Sequence, residues 1–367
     1  MSDVAVIGGG LVGAAVAWGL ARAGARVTVL DEGDDALRAS RGNFGLVWVQ
    51  GKGDGMHEYA AWSRRSAEIW PELAAALAEE EGVDVGLRQP GGIEACLDEA
   101  EYAEAELSLK RMHNQPGVGA NDVRMISAAE ARDLEPALGP DIAGASFCPH
   151  DGHVSPLYLL RGLHAGMARH GVDHRLDHKV ERVRHGGDGF VLETTQGRVE
   201  ADRVVLAAGL GNGRLAPMVG LDVPTAPDRG QILVTQRMPT LFRHPMARLR
   251  QTEEGSIMIG ASHDRSADST ELDIETSARL AARARRLVPA LAGARIVRTW
   301  AALRVMSPDG FPIYAESETC PGAFVVTCHS GVTLAAAHAL DLAPTILDGT
   351  LAELFAPFHS RRFTARG

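Results

Sequence analysis

The sequence has very few lysines, few aromatic residues and no long apolar run. Its 367 residues include three lysines, and aromatic residues make up 5% of the chain. With 47 acidic and 37 basic residues, the formal net charge is −10, which argues against the basic surface that nucleic acid binding requires. No apolar run reaches the roughly 18 residues of a membrane-spanning helix. We therefore expect neither a membrane span nor a nucleic-acid partner.

Cysteine is also scarce and forms no metal-binding pattern. The four cysteines are widely spaced and include no C-x-x-C pair. A zinc or iron–sulfur site on this chain is therefore not expected, and the cysteines are typical of a reduced cytosolic protein. The N-terminal residues lead into an apolar strand without a basic, cleavable leader, so we expect a cytoplasmic localisation.

A glycine motif near the N-terminus predicts a dinucleotide site. Residues 4–7 are an apolar run typical of a buried parallel strand, and Gly8, Gly10 and Gly13 follow as G-x-G-x-x-G. An alanine-rich stretch then predicts a helix whose free N–H groups and positive dipole end would face a pyrophosphate. Because the motif follows a strand and opens a helix, it matches the dinucleotide-binding fingerprint. At this point both NAD and FAD fit.

An acidic residue lies at about the distance that this fingerprint requires. Asp31 stands at the end of the second predicted strand, 23 residues after Gly8. Its carboxylate would accept hydrogen bonds from ribose hydroxyls and repel a 2′-phosphate, which disfavours NADP. We assign Glu32, next to Asp31, and Leu11 and Val12, at the start of the predicted helix, to the same site.

The chain after Asp31 favours flavin over nicotinamide. The common nicotinamide enzymes continue with alternating strands and helices, whereas here a glycine-rich loop at 41–53 precedes a predicted helix at 57–81. Strand-like sequence returns at 178–209. It predicts a small meander with strands at 180–184, 190–194 and 198–199, and a buried strand at 203–207 that ends at Ala208 and Gly209. The cofactor-binding half would therefore be assembled from separate segments of the chain.

Several motifs in order resemble the D-amino acid oxidase-like superfamily of FAD enzymes, which includes glycine oxidase and sarcosine oxidase. The resemblance runs from residue 4 to about residue 349. It includes "DGHVSP", "VVLAAG", "APDRGQ", "ALRVMSPDGFPI" and "HSGVTLAA". The loop "SRGNFGLVWVQGKG" is similar to the beta subunits of opine dehydrogenases and D-hydroxyproline dehydrogenases.

The resemblance implies FAD bound without a covalent link, because Ala302 stands where sarcosine oxidase attaches its flavin. Val47, Trp48 and Gln50 would be substrate-side neighbours, although simple core packing of Trp48 is an equal alternative. The cofactor contacts that the resemblance implies, beyond the glycine motif, are Ser40, Arg41, Gly42, Asn43, Phe44, Val180, Ala208, Gly209, Arg304, Ser330, Gly331, Val332 and Thr333. A helix that starts near Val332, capped by Ser330 and Gly331, would also point its N-terminus at the flavin.

The resemblance also implies the reaction, a hydride transfer from the carbon next to nitrogen to flavin N5. Arg304 matches the arginine that binds the substrate carboxylate in glycine oxidase, and its planar fork suits that task; a structural ion pair is the alternative. His329 would contact substrate or only pack. Lys52 would be a substrate ligand, or is there by chance. Met258 stands where sarcosine oxidase carries the lysine that promotes reaction with oxygen, which weakens an oxidase interpretation.

Three functions remain open from the sequence. The first is a dehydrogenase subunit that oxidises an opine, D-amino acid or D-hydroxyproline-like amine and passes electrons to partner subunits. The second is a stand-alone oxidase that makes hydrogen peroxide. The third is a non-catalytic flavin-binding assembly subunit.

The expected fold is α/β, with a Rossmann-like FAD-binding domain and an inserted α+β substrate domain on a mixed or antiparallel sheet. Further expected elements are strands at 231–236 and 256–264 and a helix at 276–287. The FAD-binding domain would comprise about residues 1–45, 145–215 and 300–367, and the substrate domain about 46–144 and 216–299.

Overall fold

The computed structural model describes residues 2–33, 38–115, 122–187 and 189–363. The strands in these residues are β1 (Ser2–Ile7), β2 (Val27–Leu30), β3 (Leu46–Val47), β4 (Gly92–Cys96), β5 (Arg124–Ser127), β6 (Gly144–Cys148), β7 (Gly152–His153), β8 (Asp173–Arg175), β9 (Val180–Gly186), β10 (Gly189–Thr194), β11 (Gly197–Leu206), β12 (Ala226–Arg237), β13 (Leu249–Gln251), β14 (Ser256–Ile259), β15 (Ile296–Met306), β16 (Ile313–Glu316) and β17 (Ala323–Thr327).

The helices follow the same chain order. They are α1 (Leu11–Arg22), α2 (His57–Glu81), α3 (Glu99–His113), α4 (Ala128–Leu134), α5 (Pro156–Arg169), α6 (Asn212–Leu215), α7 (Ile274–Leu287), α8 (Ala335–Ala337), α9 (Ala343–Asp348) and α10 (Leu351–Leu354). A π-helical turn at His338–Leu342 joins α8 to α9 in one continuous helix. Within the described ranges, no helix combines the length and apolarity needed to cross a membrane.

The larger sheet has eight strands around a parallel core. Its order is β16-β17-β11-β1-β2-β8, and all neighbours except β16 and β17 run parallel. The meander β9-β10 joins it through β11. Such parallel strands are buried on both faces, and Val4 and Val204 are accordingly fully buried. This topology places the carboxyl ends of β1, β2 and β11 at one edge.

Strand β11 belongs to both the meander and the parallel core. Its first half pairs antiparallel with β10 and its second half pairs parallel with β1. The sequence pattern predicts two separate strands here, at 198–199 and 203–207, and that detail is wrong. Ala201, which is fully buried, pairs on both sides and carries the strand across the expected break.

Helices cover one face of this sheet. Helix α1 packs against α5 and against the helix that α8 and α9 form, and α2 packs against both of those helices. The shared core contains fully buried Trp18, Trp70 and Leu163. The opposite face is closed by the meander and by the segment around Leu215 and Val219. Packing of the C-terminal helix against α1 brings both ends of the chain to the same site.

A second sheet is antiparallel. Strands β13-β14-β12-β15 form its four-stranded part and β4-β6-β5 its three-stranded part. Met246 connects the two parts through isolated bridges to Ile93 and Leu249. Helix α7 packs on this sheet through Leu280 and Leu287. The predicted α/β class is confirmed, and of the two alternatives for the second sheet, mixed or antiparallel, the strand ladders are antiparallel.

The helices have nearly the bounds that the sequence predicts, whereas the bounds of some strands differ from the prediction. Helix α2 has the predicted bounds, and α7 begins at Ile274 and ends before Pro289. The strand expected at 256–264 is shorter, because β14 ends at Ile259. The division into two domains stays a prediction. Strand pairing places β6 and β15 in the second sheet, whereas the predicted boundaries put 145–148 and 300–306 with the cofactor domain.

Candidate active site

The turn between β1 and α1 requires glycine for steric reasons. Gly8 has a φ of 107°, and a Cβ atom there would lie 2.5 Å from the carbonyl oxygen of Ala207. A Cβ atom at Gly13 would overlap the carbonyl oxygen of Gly8. One at Gly10 would lie 2.8 Å from Ser40 Oγ. The predicted motif is therefore a tightly packed turn between β1, β11 and α1.

Two side chains line this turn. The backbone N–H of Leu11 donates to Ser40 Oγ at 2.9 Å, and the N–H of Gly9 donates to Asp31 Oδ2 at 2.7 Å. The structure thus brings Ser40 and Asp31 to the glycine motif, as predicted. Glu32 does not join them, because its carboxylate is exposed and pairs with Arg38 at 2.8 Å.

The groups around the turn fit a dinucleotide. Helix α1 has no acidic residue in its first turn and no side-chain cap on Gly10, so its N-terminus favours an anion. His174 Nε2 and Asn212 Nδ2 are buried without a hydrogen-bond partner in the described residues. His174 lies beside Gly9, and Asn212 Oδ1 accepts from the Ala208 N–H at 2.9 Å. Buried polar atoms of this kind need a partner, and a polar cofactor would provide one.

The loop after Ser40 is held between the two sheets. The indole N–H of Trp300 on β15 donates to the carbonyl of Gly42 at 3.1 Å. Arg250 on β13 is buried, donates to the carbonyl of Phe44 and lies against its ring, and burial lowers the pKa of Arg250 to about 10. These contacts fix the loop backbone where β1 and β11 end.

The other predicted residues of this loop are a turn residue, an exposed arginine and two buried side chains. Asn43 Oδ1 accepts from the N–H of Gly45 at 2.8 Å and shapes a turn, whereas Arg41 is exposed. Val47 is fully buried. Trp48 is buried and its ring packs on Gly92, where a Cβ atom would lie 2.5 Å away. This geometry supports the core-packing alternative for Trp48.

Gln50 belongs to a buried polar network. Its Nε2 donates to Asp151 Oδ2 at 2.6 Å, and its Oε1 accepts from Ser146 Oγ at 2.6 Å. Asp151 is fully buried and also accepts from the N–H of Val49 at 2.5 Å. Burial raises the pKa of Asp151 to about 7. The network ties the loop to "DGHVSP", and both hydrogen-bonding ends of Gln50 are used within the protein.

Lys52, His329 and Ser330 form one cluster. The Lys52 ammonium donates to Ser330 Oγ at 2.6 Å and lies 3.1 Å from His329 Nε2. The Tyr59 hydroxyl is 2.8 Å from Ser330 Oγ. Burial lowers the pKa of Lys52 to about 8. It also lowers the pKa of His329 well below its usual value, and the positive charges of Lys52 and Arg304 add to that effect.

Arg304 approaches the same cluster from β15. It lies opposite Asp228 of β12, with Nη1 3.6 Å from Asp228 Oδ1, and Nη1 is buried without a hydrogen-bond partner in the described residues. Burial lowers the pKa of Arg304. Its guanidinium lies over Gly230, where a Cβ atom would collide with it. The long ion pair with Asp228 supports a structural role for Arg304. Its unpaired Nη1 supports the alternative, binding of a substrate carboxylate.

The C-terminal turn differs from its prediction in two respects, the start of its helix and the role of Ser330. The helix expected to start near Val332 is present, and it begins three residues later, because α8 starts at Ala335. The Ser330 hydroxyl does not cap that helix, since it bonds Lys52 and Tyr59 instead.

The same turn still meets the glycine motif. Gly331 lies beside Val12 of α1, where a Cβ atom would be 3.4 Å from the valine methyl group. Thr333 Oγ1 accepts from the N–H of Trp48 at 3.2 Å and donates to the carbonyl of Leu46 at 3.3 Å. The turn therefore connects the start of α1 to the loop.

The remaining predicted cofactor residues lie at strand ends. Val180 is buried at the start of β9, and its carbonyl accepts from Arg214 at 2.7 Å. Ala208 and Gly209 follow β11, and Gly209 has a φ of 59°. The end of β11 thus lies beside the glycine turn, while the contact of Val180 with a cofactor stays a prediction.

Several residues of the site could not be found from the sequence. Tyr59 falls within a predicted helix and Asp228 within a motif, and neither pattern indicates a role for the side chain. Arg250 and His174 carry no signal at all, because their neighbours along the chain do not show that they are buried beside the loop and the glycine turn. The unpaired amide of Asn212 is equally hidden in a glycine-rich segment.

Two other features lie apart from this site. A cavity of about 550 Å³ is lined by residues of the second sheet and its connections, including Arg88, His153 and Arg243, but by neither Lys52 nor Arg304. On the surface, Glu80, Glu81 and His170 lie close enough to hold a cation, but Glu80 already pairs with Arg22. The assignment of the site rests on the converging side chains and not on cavity size.

Comparison with known proteins identifies the family. A family model described as FAD dependent oxidoreductase (DAO) matches residues 3–344. The chain is 44% identical over 364 residues to the opine oxidase B subunit of Rhizobium meliloti, covering 99% of this chain and 98% of that protein. It is 29% identical to glycine oxidase of Geobacillus kaustophilus, covering 98% of this chain and 97% of that protein.

Solved structures agree with this. Glycine oxidase from Bacillus cereus ATCC 14579 superposes with a TM-score of 0.88 at 27% identity, covering 98% of this chain and 99% of that chain. L-proline dehydrogenase from P. horikoshii has a TM-score of 0.81 at 21% identity, covering 95% of this chain and 94% of that chain, a likeness of fold. The chain therefore belongs to the FAD dependent oxidoreductase (DAO) family, and the protein is an oxidoreductase that uses FAD.

Proposed function

We propose that the protein oxidises an amino acid-type secondary or D-configured amine, as the dehydrogenase subunit of a larger complex. The observation that carries this proposal is Arg304, a partly buried guanidinium with an unused N–H beside His329 and Lys52. The relatives named as B subunits of opine oxidase, at 44% identity over nearly the whole chain, support the substrate class and the multi-subunit organisation.

The glycine turn and the loop would hold FAD. In this proposal the α1 N-terminus with Gly8, Gly10 and Gly13 faces the pyrophosphate, and Asp31 faces ribose hydroxyls. Asp31 accepts from the backbone N–H groups of Gly9 and Gly33, so its carboxylate is already oriented toward the turn. Residues 40–44 and 330–333 would lie along the flavin from opposite ends of the chain.

Bound FAD would supply the redox chemistry, hydride transfer from the carbon beside a neutral amine to flavin N5. The side chains would orient the substrate. Arg304 would bind its carboxylate through the planar fork, and Asp228 would hold the guanidinium in place. Burial and the nearby cations lower the pKa of His329, so its ring would add no further positive charge beside the amine, while its Nε2 contacts Lys52 and Ser330.

Anaerobic titration tests the proposal directly. Purified protein would be mixed with opines, D-amino acids and N-methyl amino acids while flavin absorption is followed. Bleaching by one of these classes is expected. If none of these compounds reduces the flavin, the non-catalytic assembly subunit would be favoured. The unpaired N–H of Arg304 would then not be explained by substrate binding.

The electron acceptor needs a separate test. Met258, buried on β14, stands at the position where the resemblance would place an oxygen-activating lysine. We therefore expect slow reoxidation of the reduced protein by air and fast reoxidation by an artificial dye. Stopped-flow mixing with oxygenated buffer measures the first rate. Reoxidation at least as fast as turnover would instead support a stand-alone oxidase that makes hydrogen peroxide.

A further inference from the structure

The carboxylate of Asp228 lies close to Arg304, but Nη1 of the guanidinium makes no hydrogen bond to it. The two residues are directly opposite each other on β12 and β15, and Nη1 lies 3.6 Å from Asp228 Oδ1. Charge-assisted bonds between nitrogen and oxygen are usually about 2.7–2.9 Å long. Because Nη1 is buried and has no hydrogen-bond partner in the described residues, this ion pair is incomplete although its charges are complementary.

Both oxygens of Asp228 are bound by the segment that follows β14. Oδ2 lies 2.7 Å from His263 Nδ1, and Oδ1 accepts from the N–H of Asp264 at 2.9 Å. Since a carboxylate only accepts hydrogen bonds, Nδ1 carries the proton in this contact. These two bonds fix the orientation of the carboxylate and keep it short of hydrogen-bond distance from Arg304.

The segment is itself anchored to β12. The backbone N–H groups of Arg229 and Asp264 each donate to the carbonyl of the other residue at 3.0 Å, and Arg229 Nη2 lies 2.7 Å from Asp264 Oδ2. Ser262 Oγ accepts from the N–H of Gln231 at 2.9 Å. His263 therefore approaches the carboxylate from a backbone that is held in place.

The two partners of the histidine–carboxylate bond differ in exposure. The Asp228 side chain is 1% exposed, whereas that of His263 is 64% exposed. A buried carboxylate needs its bonding partners, but an exposed histidine contributes little to the core, so the bond serves the carboxylate. The ring also lies near the candidate site: burial is the main reason that the pKa of His329 is lowered, and His263 adds to the effect of the other two cations.

Loss of the histidine would leave one oxygen of a buried carboxylate unpaired. An unused donor, Nη1 of Arg304, lies nearby, and a movement of under about 1 Å would bring the pair to the length of a charge-assisted bond. The guanidinium would then be occupied by Asp228, and a ligand would have to displace that carboxylate.

We propose that His263 is a positioning residue, which retains Asp228 in its present orientation and so keeps Arg304 free for the substrate carboxylate. This inference rests on the proposed function, in which Arg304 binds that carboxylate. It assigns a role to a residue that acts through Asp228 and not by its own contact with substrate.

Crystal structures of the FAD-loaded wild type and two variants test the proposal without turnover. In His263→Leu we expect the distance between Asp228 and Arg304 to shorten to hydrogen-bond length. His263→Asn should keep the wild-type separation, because its amide nitrogen is attached to Cγ, as Nδ1 is. Since the substituted side chain is exposed, both variants should fold and retain FAD. A separation in His263→Leu equal to that in the wild type would overturn the proposal.

Carboxylate binding provides the second readout. Acetate and its neutral isostere acetamide would be titrated into FAD-loaded protein while flavin absorption is followed. We expect the wild type to prefer acetate and His263→Leu to reduce this preference about tenfold or more, the effect of losing a hydrogen bond to a charged group. His263→Asn should restore most of the preference. Asp228→Asn added to His263→Leu should restore part of it, because a neutral amide competes less for the charge of Arg304.

Controls separate this role from a structural one and from the proposed function. His185→Leu removes another exposed histidine, on β9, and should change neither the distance nor the preference. A further loss of acetate binding in the double variant, in place of recovery, would overturn the proposal. A shortened distance in His263→Leu without any preference for acetate in the wild type would overturn the proposed function alone, since His263 would still be shown to hold Asp228.

Discussion

The glycine turn and the Lys52–Arg304 cluster are built in different ways. The turn is made of backbone: Gly8 and Gly13 bring β1, α1 and β11 so close that a methyl group has no room. The cluster is made of side chains on three separate segments, the loop at Lys52, strand β15 at Arg304 and the turn at His329. The turn depends on close packing between neighbouring backbone segments. The cluster depends on charged and polar side chains that the fold brings together from distant parts of the chain.

The two regions differ in how they affect the stability of the fold. The turn consists of close backbone packing, so it stabilises the fold, and the uncapped start of α1 is ready for an anion. The cluster keeps an unpaired Arg304 N–H and a buried Lys52 ammonium. Unpaired charges and donors inside a protein cost stability, and such a cost is typical of a site that a ligand completes. A mutation in the turn should therefore destabilise the ligand-free protein, whereas removal of a buried charge from the cluster should stabilise it.

The largest effect is expected in the turn. Gly13→Ala would push a methyl group against the carbonyl of Gly8, and because backbone must move, the cost should exceed the roughly 1–3 kcal/mol of ordinary overpacking. We expect protein that is unstable and retains no FAD. Flavin absorption per polypeptide after purification measures this. Gly293→Ala, where a Cβ atom meets nothing within 4 Å, is the control, and equal flavin loss in both would contradict the steric explanation.

The same contrast explains what the sequence could predict. The turn is encoded by neighbours along the chain, so G-x-G-x-x-G and Asp31 were sufficient to locate it. Arg304 and His329 were found only through resemblance to a known family. Tyr59 and Asp228 were missed, because their roles depend on a fold that brings α2 to the C-terminal turn and β12 to β15. No local pattern records such contacts.

The predicted bounds of β11 were wrong for a related reason. The alternation of buried and exposed residues changes along β11, which suggests two strands, and only pairing with both β10 and β1 shows that it is continuous. Helix α2, by contrast, has the bounds that its sequence predicts. A helix is stabilised by contacts within its own turns, whereas a strand is defined by partners far away in sequence.

A smaller but still large effect is expected at Arg304. Arg304→Ala should weaken substrate binding by roughly 2–5 kcal/mol, the range for breaking a hydrogen-bonded charge pair, and should leave FAD bound. Arg304→Lys should recover only part of this, since a point charge does not replace the fork. Substrate affinity from flavin titration and FAD content, measured on the same samples, separate the two effects. Normal kinetics in a poorly folded Arg304→Ala protein would instead show that Arg304 serves mainly as the partner of Asp228.

The smallest effect is expected in the stability of the ligand-free protein, and it has the opposite sign. Burial lowers the pKa of Lys52 to about 8 from its ordinary 10.5, so below pH 8 the unfolded chain holds this proton more tightly than the folded protein does. Stability therefore rises with pH between 8 and 10.5 as the folded state sheds the unfavourable charge. Lys52→Met removes the charge at every pH and should stabilise the protein at pH 7 by up to about 3 kcal/mol, with a gain that shrinks toward pH 10. Denaturant unfolding of wild type and variant at both pH values checks this. A variant less stable than wild type at pH 7 would mean that the bonds of Lys52 to Ser330 and His329 outweigh its desolvation, and the cluster would then resemble the turn in supporting the fold.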